Sequence, residues 1–323
     1  MKSILITGIS GFVGGHFTRF IINKQPDYDI HGVSRSKPAW DFIANRDLIL
    51  NEITFHQCDL LDSKKINEII GEIQPDYILH LASFSSVSQS WREPLASFLN
   101  NTNAFLNIIE AVRIQGSNTK ILSIGSSEEY GIVKKSDLPL TEKKPVAPAN
   151  PYAVARVSEE HLAQIYATGY HLNICCTRSF NHIGPGQSDQ FVVSSIAKQF
   201  AEIAIHHKKP VIKIGAGSII RDFIDIEDVI RAYDAIFEKG VTGEVYNVCS
   251  GRGHSINDIV KSLSELTQTP VTVEHNTNLL RPIDNPVLIG NYRKLQTITG
   301  WKPECPIEKS LEKIHTYWLN KLS

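Results

Sequence analysis

The segment Thr7-Gly8-Ile9-Ser10-Gly11-Phe12-Val13-Gly14 directly follows the apolar run that begins at Ser3 and opens into a helical pattern. In a strand-to-helix turn of this kind, glycine permits the tight bend and a close backbone approach. The unpaired N–H groups at the helix start then favour a pyrophosphate. A glycine triplet by itself also marks an ordinary turn; its place at the first βα junction is what points to a dinucleotide. Gly8, Gly11, Phe12, Val13 and Gly14 are therefore the first expected cofactor contacts.

Outward from this turn, Ser3–Thr7, Ile30–Ser34, Thr54–Cys58, Tyr77–Leu81 and Lys120–Ile124 read as strands with helical patterns between them. They are apolar runs rather than strict alternations, as expected when helices cover both faces of a parallel sheet. The predicted class is α/β, a Rossmann-type doubly wound parallel sheet with a smaller C-terminal substrate lobe. Asn150-Pro151 opens a helix read over Ala153–Thr168, and His171–Thr177 reads as a sixth strand.

Beyond Ser179 the texture changes to Gly/Pro-punctuated stretches, His182–Gln187 and Ile214–Ser218, which suit loops over a site or a second lobe. A helix over Glu227–Lys239 and a strand over Glu244–Val248 suit a return to the sheet, and Ile256–Thr267 and Ile307–Leu319 read as helices. The expected division is residues 1–180 and 222–250 for the dinucleotide-binding domain, with 181–221 and 251–323 for the substrate lobe. The sequence shows no internal repeat, low-complexity tract or charged tail.

Composition narrows the function classes. The chain has 323 residues, 42% hydrophobic and 21% charged, with a formal charge of −1, so no whole-protein field attracts nucleic acid or anionic lipid and any anion site must be local. No run of apolar residues reaches membrane-spanning length, and the N-terminus turns glycine-rich before a signal-peptide core forms, which predicts a cytoplasmic protein with no membrane partner. Five cysteines without a CxxC argue against a disulfide framework or zinc ribbon, and the histidines show no HExxH spacing, so no metal is expected.

After the second strand, where an NAD-selective fold places a carboxylate against the ribose hydroxyls, the sequence has Ser34-Arg35-Ser36-Lys37. A guanidinium suits a 2′-phosphate, which favours NADP(H) over NAD(H); the alternative is a solvated arginine at a loop edge. Asp59 and Leu60 follow the third strand, beside the expected adenine. Leu81, Ala82 and Ser83 follow the fourth, beside the phosphates.

Tyr152 and Arg156 are one helical turn apart and share a face. A phenol titrates near pH 10, so its use as a proton donor and acceptor near neutrality calls for neighbouring positive charge. Taken alone, the pair also reads as a core tyrosine beside a surface arginine. Gly125-Ser126-Ser127-Glu128-Glu129-Tyr130-Gly131 leaves the fifth strand at the carboxyl edge, where open α/β sheets bind ligands. A hydroxyl there suits a substrate oxygen, and one of Glu128 and Glu129 suits a base, although a serine cluster before glycine also marks a generic turn.

In order along essentially the whole chain, the Thr7–Gly14 turn, the serine motif ending in Tyr130-Gly131 and a Tyr-x-x-x-Lys motif altered to Tyr152-x-x-x-Arg156 resemble the extended short-chain dehydrogenase/reductase family of nucleotide-sugar enzymes. The resemblance implies that Ser126 orients the sugar oxygen, that Tyr152 exchanges its proton, and that Arg156 replaces a lysine which lowers the tyrosine pKa and holds the nicotinamide ribose. Arginine and lysine are not interchangeable at tight sites, so the replacement matters.

Thr177–Gln187, Arg221-Asp222-Phe223 and Leu280-Arg281-Pro282 look like the corresponding segments of GDP-4-keto-6-deoxy-D-mannose reductases within that family. This implies a GDP-linked keto-sugar substrate, with Asn181 and the Phe191-Val192-Val193 region lining the nucleotide site and Arg221 and Arg281 facing the diphosphate. Ser127, where other sugar-nucleotide dehydratases place an aspartic acid, is counted with the substrate contacts. The implied reaction is reduction of a C4 ketone to a GDP-6-deoxy-sugar such as GDP-D-rhamnose. The alternatives are a GDP-mannose-type 4,6-dehydratase with Glu128 as base, a 4-epimerase, and a dinucleotide-binding protein disabled by Arg156. The resemblance also implies a homodimer through helices at Leu95–Ile114 and Pro151–Thr168.

Overall fold

The computed structural model describes residues 2–24, 28–279 and 283–323. Its strands are β1 (Lys2–Thr7), β2 (Tyr28–Ser34), β3 (Ile53–Gln57), β4 (Tyr77–His80), β5 (Lys120–Ser126), β6 (Ile174–Ser179), β7 (Asn181–Ile183), β8 (Val211–Ile214), β9 (Ile220–Asp225), β10 (Val245–Val248), β11 (Gly253–Ser255), β12 (Thr272–His275) and β13 (Val287–Leu288). Its α-helices are α1 (Phe12–Lys24), α2 (Arg46–Asn51), α3 (Ser63–Ile73), α4 (Val87–Ser90), α5 (Pro94–Phe98), α6 (Ala104–Gln115), α7 (Pro151–Gly169), α8 (Val192–His206), α9 (Ile226–Lys239), α10 (Ile256–Thr267), α11 (Arg293–Thr299) and α12 (Ile307–Leu322).

The described residues build a seven-stranded sheet in the order β10-β6-β5-β4-β1-β2-β3, with every pair parallel. The order reverses at β1, so a crevice opens between the carboxyl ends of β1 and β4, the place where doubly wound sheets take their ligands. Both faces are covered. On one, Phe17 and Ile21 of α1 meet Val229, Ile230, Tyr233 and Ile236 of α9. On the other, Ile66, Ile69 and Ile70 of α3 meet Phe105, Ile108, Ile109 and Val112 of α6. The i, i+3, i+4 spacing of these residues makes each helix one-sided, and each fully buried aliphatic side chain contributes about 1.5–3 kcal/mol.

The lobe has its own core, in which Val193, Ile196 and Phe200 of α8 pack with Leu263 of α10 and Ile314 and Trp318 of α12. Its small sheet joins β9 to β7, β11 and β13. Two boundaries differ from the sequence division. The chain returns to cover the main sheet with α9, which begins at Ile226 after β9, rather than at 222, because β9 belongs to the small sheet. Leu295 and Trp301 also lie in the core shared by α1 and α9, with the indole N–H of Trp301 donating to the Asp228 carbonyl at 3.0 Å, so this stretch of 251–323 packs with the helices of the main sheet.

Element ends also shift. β5 runs on to Ser126, and β6 spans Ile174–Ser179 instead of His171–Thr177, because His171 takes a left-handed backbone (φ 60°) that cannot join a strand. The helix expected at Leu95–Ile114 consists of α5, a π-helical turn at Leu99–Asn103, and α6. Inside that turn the Asn101 Oδ1 accepts from the Phe84 N–H at 2.7 Å, tying the helix to the loop after β4.

Candidate active site

The glycine turn is built as a cradle. Gly8 has φ +68°, and a Cβ there would lie 2.7 Å from the backbone of Ala82, so the ends of β1 and β4 meet across a hydrogen atom. Gly14 brings α1 against the turn: a Cβ on it would sit 2.3 Å from the Ile9 carbonyl oxygen. Phe12 and Val13 begin α1 at the turn that leaves β1, and the first N–H groups of a helix have no intrahelical acceptor. A side-chain-free approach beside helix N–H donors fits the pyrophosphate of a dinucleotide.

Beneath the cradle, Thr7 Oγ1 pairs with His80 Nδ1 at 2.8 Å and accepts from the Ala82 N–H at 3.4 Å. Burial, helped by the charge of Arg156, pushes His80 down to about 3, so it is neutral. Leu81 is held by its N–H to the Thr7 carbonyl at 3.2 Å, which sets Leu81, Ala82 and Ser83 along the rim of the crevice. Arg35 is exposed just past β2. Asp59 is exposed past β3 and accepts from the Leu61 N–H at 3.0 Å, while Leu60 is buried with its carbonyl bonded by Asn107 Nδ2 at 2.8 Å.

Tyr152 and Arg156 come together as their spacing predicts, but neither lies on the surface. Arg156 Nε donates to the Tyr152 hydroxyl at 3.3 Å, Nη2 donates to Ser83 Oγ, and Nη1 contacts Glu159 Oε2 at 2.9 Å. Asn150 starts α7: its Oδ1 caps the Ala153 N–H at 2.8 Å, and its Nδ2 donates to Glu128 Oε2 at 3.0 Å. That second bond joins the Ser126–Gly131 loop to the helix bearing Tyr152. The Tyr152 N–H donates to Ser90 Oγ of α4 at 3.2 Å, fixing the helix start from the other side.

Ser126 is the last residue of β5; its Oγ accepts from the Glu128 N–H at 3.2 Å and its own N–H donates to Glu129 Oε1 at 2.6 Å. Ser127 is buried and Glu128 half-buried. The two glutamates thus divide their environments: Glu128 borders the cleft through Asn150, while Glu129 is fully buried. Burial, and then the nearby Glu160, push the Glu129 carboxyl well above the usual range. Asn150, Glu159, Glu160 and Arg178 are neighbours of this cluster that motif reading did not single out; an Asn-Pro helix start and the run Ser158-Glu159-Glu160 were the visible signals for the first three.

On the lobe side, Asn181 begins β7 and Val192 begins α8, with Phe191 and Val192 both partly open to solvent. Arg221 on β9 turns inward: it donates to the carbonyls of Asn285 at 2.8 Å and Ile220 at 2.9 Å and pairs with Asp284. The neighbouring Asp222 accepts from the N–H groups of Ser250, Gly251 and Gly290 and from Ser250 Oγ, knitting two loops to β9; burial pushes it up to about 6. Arg281, with Leu280 and Pro282, lies outside the described residues. Among the described residues no three metal-ligating side chains are grouped, and no helix is long and apolar enough to cross a membrane.

Residues 5–314 match the family model described as GDP-mannose 4,6 dehydratase. The chain is 30% identical over 321 residues to a GDP-6-deoxy-D-mannose reductase of Pseudomonas aeruginosa, covering 99% of this chain and 98% of that one. Its structure is similar to that of RMD from Pseudomonas aeruginosa complexed with NADPH, with a TM-score of 0.84 at 29% identity, covering 99% and 98% of the two chains. It is also similar to a UDP-glucose 4-epimerase with UDP-glucose from Thermotoga maritima, with a TM-score of 0.87 at 26% identity over 99% of this chain and 100% of that one.

Proposed function

The chain belongs to the GDP-mannose 4,6-dehydratase family of nucleotide-sugar enzymes, and on that premise we propose that it is an NAD(P)H-dependent oxidoreductase that reduces the C4 ketone of a GDP-4-keto-6-deoxy-hexose to a GDP-6-deoxy-sugar. The observation that carries this reading is the Tyr152 hydroxyl held 3.3 Å from a buried arginine at the sheet's switch point. Full-length similarity to a reductase supports reduction over the family's other reactions.

A reduced nicotinamide, when bound, supplies the hydride for C4. The residues that would hold it are Gly8, Gly11, Phe12, Val13 and Gly14 at the pyrophosphate, Leu81–Ser83 along the rim, Asp59 and Leu60 at the adenine, and Tyr152 and Arg156 near the ribose. Tyr152 gives its phenolic proton to the C4 oxygen, so ketone, hydride and proton make the alcohol. Ser126 donates a hydrogen bond to the same oxygen, and Arg156 Nε stabilises the phenolate left behind. Ser127, Asn181, Val192, Arg221 and Arg281 are assigned to the GDP-sugar side of the cleft.

NADP(H) is the preferred dinucleotide in this reading, supported by Arg35 and by the lack of a carboxylate from Ser34 to Lys37. A homodimer is part of the reading too: Leu95 is 72% exposed, and Phe98, Val154 and Ile165 leave apolar surface open on α5 and α7. A second reading, the 4,6-dehydratase, is favoured by Glu128, whose carboxylate Asn150 holds at the mouth of α7.

Stoichiometry separates the two. Purified protein mixed with GDP-4-keto-6-deoxy-D-mannose and NADPH or NADH should consume one reduced nicotinamide per sugar and yield a GDP-deoxyhexose. No net consumption, despite cofactor binding, would transfer the assignment to the dehydratase or epimerase class.

A further inference from the structure

Arg156 stands where the resemblance places a lysine, and it has a partner within the helix. Glu159, three residues on, receives Nη1 on both carboxylate oxygens, at 2.9 Å and 3.1 Å, and the two side chains are only 3–4% exposed. Every edge of the guanidinium is thereby allotted: Nη1 to Glu159, Nε to the Tyr152 hydroxyl and Nη2 to Ser83. A planar fork has an orientation to be fixed, whereas a lysine ammonium has none. Burying two charges carries a desolvation penalty that a solvated helix face would avoid.

We propose that Glu159 is the positioning residue that lets arginine work in a lysine's place: it fixes the guanidinium with Nε toward the Tyr152 phenol and tempers the positive charge that the phenol feels. The inference rests on the reading of Tyr152 as proton donor. The ionisable groups facing this pair are Tyr152 on α7 itself, His80 from β4, Cys176 from β6, Tyr233 from α9 and Glu129 from the loop after β5. Burial lowers His80 and raises Cys176, Glu129 and Tyr233, in each case favouring the neutral form, so Glu159 is the counter-charge to Arg156. Burial pushes its carboxyl up to about 7 against the pull of Arg156, so it carries its full charge in the alkaline range where a phenol titrates.

The test reads Tyr152 directly. Ultraviolet phenolate titration of the protein without cofactor, each variant compared with the same variant carrying Tyr152→Phe, isolates this residue from the other tyrosines. Glu159→Gln keeps the shape and an acceptor for Nη1 but removes the charge, so the Tyr152 midpoint should fall by about one pH unit, a tenfold change in ionisation. In Arg156→Lys the retained carboxylate draws the ammonium away from the phenol, so the midpoint should rise and turnover should drop at least about tenfold. Arg156→Lys with Glu159→Ala should recover both.

An unchanged midpoint in folded Glu159→Gln, or an Arg156→Lys protein indifferent to Glu159, would overturn the proposal. Should Glu159→Gln not fold, the comparison of the two lysine variants decides alone. Wild-type protein that consumes no nicotinamide with the keto-sugar defeats the reductase reading, while the titration still decides the role of Glu159.

Discussion

Arg178 grips Glu160 through two edges of its guanidinium, Nε to Oε2 at 2.8 Å and Nη2 to Oε1 at 2.6 Å, and Glu129 approaches the same cation at 3.8 Å. One buried cation therefore faces two buried carboxyls, and it neutralises the one it binds. Burial, and then Glu160, push the Glu129 carboxyl well above the usual range, which favours its neutral form, and it accepts from the Ser126 N–H. This trio is the floor under the serine assigned to the substrate.

From that division, Glu129→Gln should cost less than about 1 kcal/mol, whereas Glu160→Gln removes the carboxylate that Arg178 grips with two edges and should cost about 3–5 kcal/mol. The sign in pH follows from a folded pKa raised above the unfolded one. The stability is present below the ordinary glutamate range and is lost as pH rises toward the raised value, because only the native state still holds the proton. Urea midpoints at about pH 5 and about pH 8 should show that Glu129→Gln flattens this fall.

His80 predicts the opposite slope at the acid end. Its folded pKa of about 3 lies below the ordinary 6.5, so the unfolded chain takes up a proton first and stability is lost as pH falls through that window. His16 and His182, both lowered to about 4 by burial, act in the same direction. Each contributes about 1.4 kcal/mol per pH unit where only the unfolded state is protonated. His80→Asn, which keeps a polar partner for Thr7, should make the denaturant midpoint less sensitive to acid, measured between about pH 6 and pH 4.

Arg35 tests cofactor choice. If it receives a 2′-phosphate, Arg35→Ala should weaken NADPH binding by about 1.5–3 kcal/mol, the value of a charge-assisted contact, and leave NADH binding within twofold or so. Calorimetric titration with both nucleotides checks this. Equal losses for the two would detach Arg35 from the phosphate.

The main sheet was legible because its strands are apolar runs buried on both faces, as in Ile4-Leu5-Ile6 and Ile121-Leu122. Their ends were not: Gly125-Ser126 and Arg178-Ser179 continue β5 and β6 through backbone pairing, with Ser126 opposite Ser179, and polar side chains give that pairing no hydrophobic signal. The lobe strands were hidden for a related reason. Asn181 pairs with Phe223 and Gly253 with Asp222, contacts between short segments distant along the chain. Tyr152 and Arg156 were found because i and i+4 share a face. Glu159 was missed because a carboxylate three residues from an arginine ordinarily marks a solvated surface, and only the packing of α7 reveals that this one is buried. The inward turn of Arg221 likewise depends on β9 lying beside β13, which brings Asn285 and Asp284 to it.

The glycine cradle yields the last prediction, because two of its glycines should fail differently. At Gly8 an alanine meets the Ala82 backbone at 2.7 Å and a backbone at φ +68°, so Gly8→Ala must part β1 from β4 and should lower both the melting temperature and dinucleotide affinity. At Gly11 the φ is ordinary, the residue is exposed, and an added Cβ meets only the Gly8 carbonyl oxygen at 3.2 Å. Gly11→Ala should therefore fold with a melting temperature within a few degrees of wild type. Its methyl group would still occupy the space through which a pyrophosphate reaches the first N–H groups of α1, so NADPH affinity should fall about tenfold or more. Thermal melts and nucleotide titrations on the two variants separate these effects. A Gly11→Ala protein that binds NADPH like wild type would show that the pyrophosphate does not lie over this turn.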